Sequence, residues 1–92
     1  MRVRYTLGAR LDIDHIYEFL SNRNPSAASK VVARIRQAAD RLAEFPYIGH
    51  VGRAVGTYEW AVRRLPYIIV YEVREDSAEI LVLGVFHGAQ DR

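Results

Sequence analysis

Histidine is the side chain best suited to proton transfer near neutral pH, and this chain contains three histidines. His87 ends an apolar run and directly precedes Gly88. It could serve as a general base, or it could simply be hydrogen-bonded at the end of a strand. His50 lies in a glycine-containing segment with no partner at a recognisable spacing, so we interpret it as a surface residue.

The third histidine belongs to the segment Asp12-Ile13-Asp14-His15, which superficially resembles a metal-binding cluster. The segment has helical periodicity, and residues two apart on a helix point in different directions. Asp12 and Asp14 therefore cannot converge on one ion, and we interpret His15 and its acidic neighbours as a solvated helix face. The sequence predicts no metal site and no cofactor.

Motifs for nucleophilic catalysis and nucleotide binding are absent from the sequence, which has no GxSxG, HExxH, P-loop or GxGxxG. Gly49, Gly52 and Gly56 with Arg53 could cradle a phosphate. Their loose spacing favours a flexible connector instead.

Positive charge is carried almost entirely by arginine, which supplies twelve of the thirteen basic residues. A guanidinium suits carboxylate and phosphate partners better than an ammonium does, although a compositional bias of the genome would also produce this excess. Lys30, Arg34 and Arg41 form a basic stripe opposite the apolar arc of a predicted helix. The stripe is typical of a solvated face, and it could also attract an acidic partner or nucleic acid.

Composition limits the architecture that can position these residues. The 92 residues are 50% hydrophobic and 26% charged, which predicts one globular domain over residues 1–92. The lack of cysteine excludes disulfide scaffolds, thiolate zinc sites and thiol catalysis. No apolar run approaches the ~18 residues of a membrane span and no signal-peptide core is visible, so we expect a cytoplasmic protein without membrane contact.

Two helices are predicted in the first half of the chain, after a short strand in which Val3, Tyr5 and Leu7 alternate with polar residues. The first helix runs from about Gly8 to about Asn22, and its core residues are Ala9, Ile13, Ile16, Tyr17 and Leu20. The second helix has Asn24 as its N-cap and Pro25 at its first position, and it ends near Phe45. Leu7 and Leu11 fall on the polar side of the first helix and could form a small contact patch.

Strands are predicted in the second half, after a loop over Pro46–Thr57. Three β-rich segments form an antiparallel meander that the first strand joins: Tyr58–Leu65, Tyr67–Arg74 and Glu79–His87. The fold class is therefore α+β, with a helical hairpin inserted before the meander.

The last two predicted strands are apolar on both faces. Tyr67, Ile69, Tyr71 and Val73 oppose Ile68 and Val70, and Ile80, Val82 and Phe86 oppose Leu81, Leu83 and Val85. A helical hairpin covers one side of a sheet, whereas antiparallel sheets with one wet face normally alternate apolar and polar residues. We expect the second face to be covered by strand twist and the glycine loop, or by a partner protein.

The most distinctive residues are Val62-Arg63-Arg64-Leu65-Pro66-Tyr67-Ile68-Ile69-Val70-Tyr71 and Gly84-Val85-Phe86-His87-Gly88-Ala89-Gln90-Asp91-Arg92. Together with the helical segment Asp12–Phe19 and the stretch Phe45-Pro46-Tyr47-Ile48-Gly49, they resemble the RelE/ParE superfamily of toxins from bacterial toxin–antitoxin modules, which includes plasmid stabilisation proteins. The resemblance covers nearly the whole chain in order, spacing and element pattern, and it implies the same α+β fold.

The two branches of the superfamily differ in their chemistry: RelE-like members are ribosome-dependent mRNA endonucleases, whereas ParE-like members poison DNA gyrase. Two sheet lysines of the ribonuclease branch would fall at Glu59 and Ala61, and two of its arginines at Ile68 and Gly88. None of these positions is basic. RNA cleavage without a metal needs groups that activate the 2′-OH and stabilise the phosphorane, so the resemblance favours the ParE-like branch.

The resemblance thus implies a gyrase-inhibiting toxin that is neutralised by a ParD-type antitoxin in a hetero-oligomer, without sequence-specific DNA binding. We expect it to contact its target through Arg63, Arg64, His87, Asp91 and Arg92. We expect it to contact the antitoxin through Leu7, Leu11, Lys30, Arg34, Arg41 and Tyr67. The alternative is a RelE-like ribonuclease with Arg63, Arg64 and His87 as its site. Arg63 could instead pair with a carboxylate such as Glu72.

Overall fold

The computed structural model describes residues 1–89 and has two helices and five strands in that range. In chain order these are β1 (Arg2–Tyr5), α1 (Leu7–Ser21), α2 (Pro25–Glu44), β2 (His50–Val51), β3 (Tyr58–Ala61), β4 (Tyr67–Arg74) and β5 (Glu79–His87). The strands form one mixed sheet in the order β1-β5-β4-β3-β2. The α+β class, the helical hairpin and the antiparallel β3–β4–β5 meander are as predicted, and β1 joins the sheet parallel to β5.

Both helices begin at capping residues that the sequence supplies. The Thr6 hydroxyl accepts the Ala9 N–H at 3.1 Å, and the Asn24 side chain accepts the Ala27 N–H at 3.2 Å with Pro25 at the first helical position. The helices pack on one face of the sheet. Their fully buried residues meet those of β4 and β5 in one core: Ala9, Ile13, Ile35, Ala39, Leu42, Ile69, Tyr71, Ile80 and Val82. Tyr17, which was predicted to be a core residue, is 42% exposed.

A β-bulge in β5 overturns one part of the predicted strand pattern. Val70 pairs with Gly84 but Tyr71 pairs with Val82, so Leu83 is an extra residue in the ladder. Because one inserted residue reverses the alternation, Val85 is buried in the core and Phe86 is not. The prediction had placed Phe86 on the same face as Ile80 and Val82, and Val85 on the other face.

The second face of the sheet carries Ile68, Val70, Leu81 and Phe86, all of them partly exposed. We refer to it as the outer face. Both helices lie on the other side, so the outer face is open along β4 and β5 in residues 1–89.

Two strand boundaries also differ from the prediction. His50–Val51 form a short strand against β3 inside the predicted loop. The strand predicted over Tyr58–Leu65 ends at Ala61, because the chain turns there: the Leu65 N–H donates to the Val62 carbonyl at 3.1 Å, and Arg64 has a φ of 65°. Pro66, which follows, has no N–H with which to extend a ladder.

The buried Tyr71 hydroxyl organises the segment after α2. It donates to the Pro46 carbonyl at 2.7 Å and accepts the Gly49 N–H at 3.2 Å. Burial raises the pKa of Tyr71, so the phenol keeps the proton that it donates. A Cβ at Gly49 would lie 2.7 Å from this hydroxyl, which explains why the position requires glycine.

A second polar cluster fixes β1 to β5. Glu79 is only 4% exposed, and its carboxylate contacts Arg2 at 2.6 Å and Arg4 at 3.2 Å and accepts the Ser77 hydroxyl at 3.0 Å. The hydrogen bond from Arg2 is the largest cause that lowers the pKa of Glu79 to about 2. The carboxylate of Glu79 therefore favours the folded state as long as it is ionised.

Replacing Tyr71 with phenylalanine should lower the free energy of unfolding by about 1–3 kcal/mol, because the Pro46 carbonyl and the Gly49 N–H lose their buried partner. Urea denaturation measures this change. The matched control is Tyr47→Phe, which removes an exposed hydrogen bond of 2.7 Å to Glu75. Equal losses in the two variants would show that the buried hydroxyl has no special role.

Stability should fall as the pH is lowered from about 4.5 towards about 2, because the folded pKa of Glu79 lies below its ordinary value and the carboxylate becomes protonated in this window. A Glu79→Gln variant should be less stable at pH 7 and show a flatter dependence in that range, measured as Tm against pH. Glu44→Gln, at an exposed carboxylate of α2, should follow the unmodified protein. Parallel curves for Glu79→Gln and the unmodified protein would contradict this account.

Candidate functional site

Helix α1 holds the edge of β5 at the point where strand pairing stops. β1 ends at Tyr5, opposite Val82, so β5 has no neighbouring strand on this side beyond Val82. Beyond Val82, side chains of α1 and its N-cap form hydrogen bonds with the backbone of β5. The Thr6 hydroxyl donates to the Leu83 carbonyl at 3.1 Å, and the Asp12 carboxylate accepts the Val85 N–H at 2.9 Å. We call these two hydrogen bonds the α1 clamp.

The α1 clamp corrects the interpretation of Asp12 as part of a solvated face. A Cβ at Gly84 would lie 3.0 Å from the Asp12 carboxylate, so glycine at this position lets the acid reach the strand. His15 and Asp14 are exposed, as the prediction of a solvated face requires. Within residues 1–89, no three His, Cys, Asp or Glu side chains are grouped closely enough to hold a metal ion.

The bulge brings the two histidines of α1 and β5 to one cleft of about 410 Å³, which we call the histidine cleft. Its lining includes Asp12, His15, Phe19, Tyr67 and His87. Tyr67 and His87 are cross-strand partners, and their rings meet edge to face with centroids 5.6 Å apart. Without the extra residue Leu83, His87 would point to the outer face, so the sequence could not indicate this grouping.

The ring of His87 accepts a backbone hydrogen bond at the end of β5. Its Nδ1 accepts the Ala89 N–H at 3.1 Å, which places the proton of the neutral ring on Nε2. In this state Nε2 can donate a hydrogen bond but has no lone pair with which to accept a proton. The arrangement suits a hydrogen-bonding role at the strand end better than general-base catalysis.

A second cleft, of about 550 Å³, lies between α2 and β3, and we call it the arginine cleft. It is lined by Arg34, Gln37, Ala38, Arg41, Ile48, Trp60, Ala61, Val62 and Arg63. An Arg34 Nη2 donates to the Arg63 carbonyl and so ties α2 to the turn after β3. The Arg41 guanidinium lies 5.5 Å from the centroid of the Phe45 ring.

The residues expected to contact the target do not line one common cleft among those described above. Arg63 lines the arginine cleft, His87 lines the histidine cleft, and Arg64 is exposed in the turn between β3 and β4. Asp91 and Arg92 lie outside the described residues. The suggested pairing of Arg63 with Glu72 is wrong, because Glu72 instead contacts Arg74 at 2.9 Å.

The residues expected to contact an antitoxin are also spread over the surface. Leu7 and Leu11 are 70% and 47% exposed on α1, and Lys30 is exposed on α2. Arg34 and Arg41 line the arginine cleft, whereas Tyr67 is only 7% exposed and lines the histidine cleft. Sequence reasoning missed Trp60, which lines the same cleft as the two arginines. The signal available was that it is the only tryptophan of the chain, next to a strand end.

The four positions that the resemblance matches to basic groups of the ribonuclease branch lie close together. Ala61 pairs with Ile68, Glu59 lies two residues before Ala61 on the same strand, and a Cβ at Gly88 would be 3.5 Å from Ile68 Cδ1. Glu59 supplies a carboxylate at this place, Ala61 and Ile68 supply alkyl groups, and Gly88 has no side chain.

Neither helix of the described chain combines the length and apolar composition needed to cross a bilayer.

Comparison with known proteins identifies the family. The model for the ParE toxin of type II toxin–antitoxin systems, parDE, matches residues 3–92. The chain belongs to this family of toxins. A candidate toxin of Sinorhizobium fredii, Y4kP, is 40% identical over 97% of this chain and 90% of its own length. Toxin RelE2 of Caulobacter vibrioides is 32% identical over 87% of this chain and 89% of its own length.

Solved structures of both branches share the fold of this ParE-family chain. A chain of the chromosomal ParDE toxin–antitoxin system of P. aeruginosa has a TM-score of 0.81 at 23% identity and covers 95% of each chain. A chain of the intact E. coli RelBE toxin–antitoxin complex has a TM-score of 0.72 at 16% identity and covers 98% of each chain. At these identities the likeness concerns the fold, and it confirms the predicted α+β class.

Replacing Asp12 with alanine should lower the free energy of unfolding by about 1–2 kcal/mol, because the Val85 N–H loses its partner. Asp12→Asn, which retains an accepting oxygen, should lose less. Asp14→Ala, two residues away on the exposed face, is the control, and urea denaturation measures all three. Loss of stability in Asp14→Ala equal to that in Asp12→Ala would refute the α1 clamp.

Proposed function

We propose that this toxin is ParE-like: it inhibits DNA gyrase in the cytoplasm and is neutralised by a ParD-type antitoxin. The observation that carries the proposal is the composition of the sheet around Ile68. Where the ribonuclease branch would have basic groups, this chain has Glu59, Ala61, Ile68 and Gly88. A carboxylate there repels RNA phosphates, and alkyl groups cannot stabilise a phosphorane or protonate a leaving oxygen.

The chemistry of His87 supports the same proposal. Its Nδ1 accepts a backbone N–H, so the neutral ring carries its proton on Nε2, as a hydrogen-bond donor does and a general base does not. Arg63 lines the arginine cleft and His87 lines the histidine cleft, so these two members of the reduced catalytic set share neither of the two clefts. Inhibition by binding needs no such convergence, since separate contacts can belong to one broad interface.

An antitoxin partner fits the unusual surface of this small domain. The outer face has apolar side chains along β4 and β5, and α1 presents the exposed Leu7 and Leu11. Large apolar patches on a soluble domain usually mark a protein interface. The matched family is defined by toxins of parDE modules, and a P. aeruginosa ParDE system shares the fold.

Induction of this chain alone in a bacterial host should reduce DNA synthesis before protein synthesis, because a gyrase inhibitor blocks replication first. Pulse-labelling with a nucleoside and an amino acid in the same culture measures both rates. The control is an Ile35→Asp variant, which places a charge in the core and should not fold. An earlier fall in protein synthesis would reject the gyrase proposal and favour the RelE-like ribonuclease.

A further inference from the structure

We propose that the arginine cleft binds an acidic, amphipathic segment of a partner protein. An apolar side chain of that segment packs on Trp60, and its carboxylates lie at the rim of the cleft. The inference rests on the proposed function in taking that partner to be the antitoxin. It adds the location, the chemistry of the segment and the residues that select it.

The charge of the cleft is uncompensated within the described chain. Arg34, Arg41 and Arg63 all line it, and none forms an ion pair with a carboxylate of residues 1–89. Three like charges around one cleft repel one another, and an anion placed between them relieves that repulsion. A bound carboxylate also matches the planar guanidinium fork with two parallel hydrogen bonds.

The floor of the cleft is apolar, which distinguishes a peptide from a free anion. Trp60 is only half-buried, although it is the largest side chain in the protein, and Ala38 and Ile48 lie beside it. Aromatic anchors surrounded by a polar rim are typical of the strongest contacts in protein interfaces. The combination therefore selects a segment that presents apolar and acidic side chains together.

Contacts within the chain itself hold the shape of the arginine cleft. Arg34 is partly buried and donates to the Arg63 carbonyl, so α2 holds the turn that carries Arg63. Val62, also in this turn, is anchored in the core at 3% exposure. A preformed site loses less conformational entropy on binding, which increases the affinity available from a small contact.

A nucleic acid is the less favoured occupant. Proteins that bind single strands without a motif stack successive bases on several aromatic side chains. The arginine cleft offers only Trp60 for stacking, and its other apolar residues are aliphatic.

Trp60 is the only tryptophan in the chain, so its fluorescence reports directly on the cleft. The probe is a synthetic 16-residue helical peptide with leucine on one face and glutamate elsewhere. Two comparison ligands are the same peptide with every glutamate replaced by glutamine, and a uridine decamer. We expect the acidic peptide to shift the Trp60 emission to shorter wavelength and to bind about tenfold more tightly than the glutamine peptide.

Charge-reversal variants locate the binding within the cleft. Arg41→Glu and Arg63→Glu should each weaken binding of the acidic peptide by about tenfold, whereas Arg10→Glu, an exposed arginine of α1, should change it by less than about twofold. Circular dichroism checks that all three variants fold. Equal weakening by Arg10→Glu would show that net charge alone attracts the peptide and would overturn the inference.

The remaining outcomes separate this inference from the proposed function. Tighter binding of the uridine decamer than of the acidic peptide would overturn the inference in favour of a nucleic-acid site. Failure of the acidic peptide to bind, in a chain that still blocks DNA synthesis, would overturn it and leave the toxin proposal intact. If the acidic peptide binds in the cleft but the chain blocks neither DNA nor protein synthesis, the result would support this inference and contradict only the toxin proposal.

Discussion

The arrangement of this small domain depends on how α1 replaces a strand along the edge of β5. β1 stops opposite Val82, and beyond that point the backbone of β5 needs other hydrogen-bond partners, because unpaired backbone groups in a packed region are costly. Thr6 and Asp12 supply them to Leu83 and Val85. The same two hydrogen bonds hold the bulged strand against the helical hairpin, so helix position and strand register are determined together.

The bulge in β5 determines on which face of the sheet the side chains after it lie. It directs Val85 into the core, leaves Phe86 beside Ile68 on the outer face, and brings His87 against Tyr67. The outer face also carries the apolar side chains of Ile68 and Val70 on β4. Arg34, Arg41 and Arg63 lie elsewhere, in the arginine cleft between α2 and β3.

Much of the fold could be predicted because it follows from local patterns. Asn24 and Pro25 mark the start of α2, and the spacing of Ile35, Ala39 and Leu42 identifies its buried side. The end of β3 was harder to predict, because the sequence from Val62 to Leu65 is also compatible with a strand. The turn there depends on a positive φ at Arg64 and on Pro66, and nothing in the hydrophobic alternation signals it. Tyr17 was misplaced because a helix at the margin of a small core buries a narrower arc than its apolar residues cover.

The sequence by itself determined the α+β class, the hairpin, the meander and the family, because period, capping residues and motif order are properties of neighbouring residues. The tertiary structure alone decided the faces of Val85, Phe86 and His87, the role of Asp12, and the grouping in one cleft of Arg34, Arg41, Arg63 and Trp60. Each of these depends on contacts between segments far apart in the chain. A one-residue bulge and a helix packing across a sheet edge leave no periodic trace in the sequence, and for that reason the candidate sites emerged only with the fold.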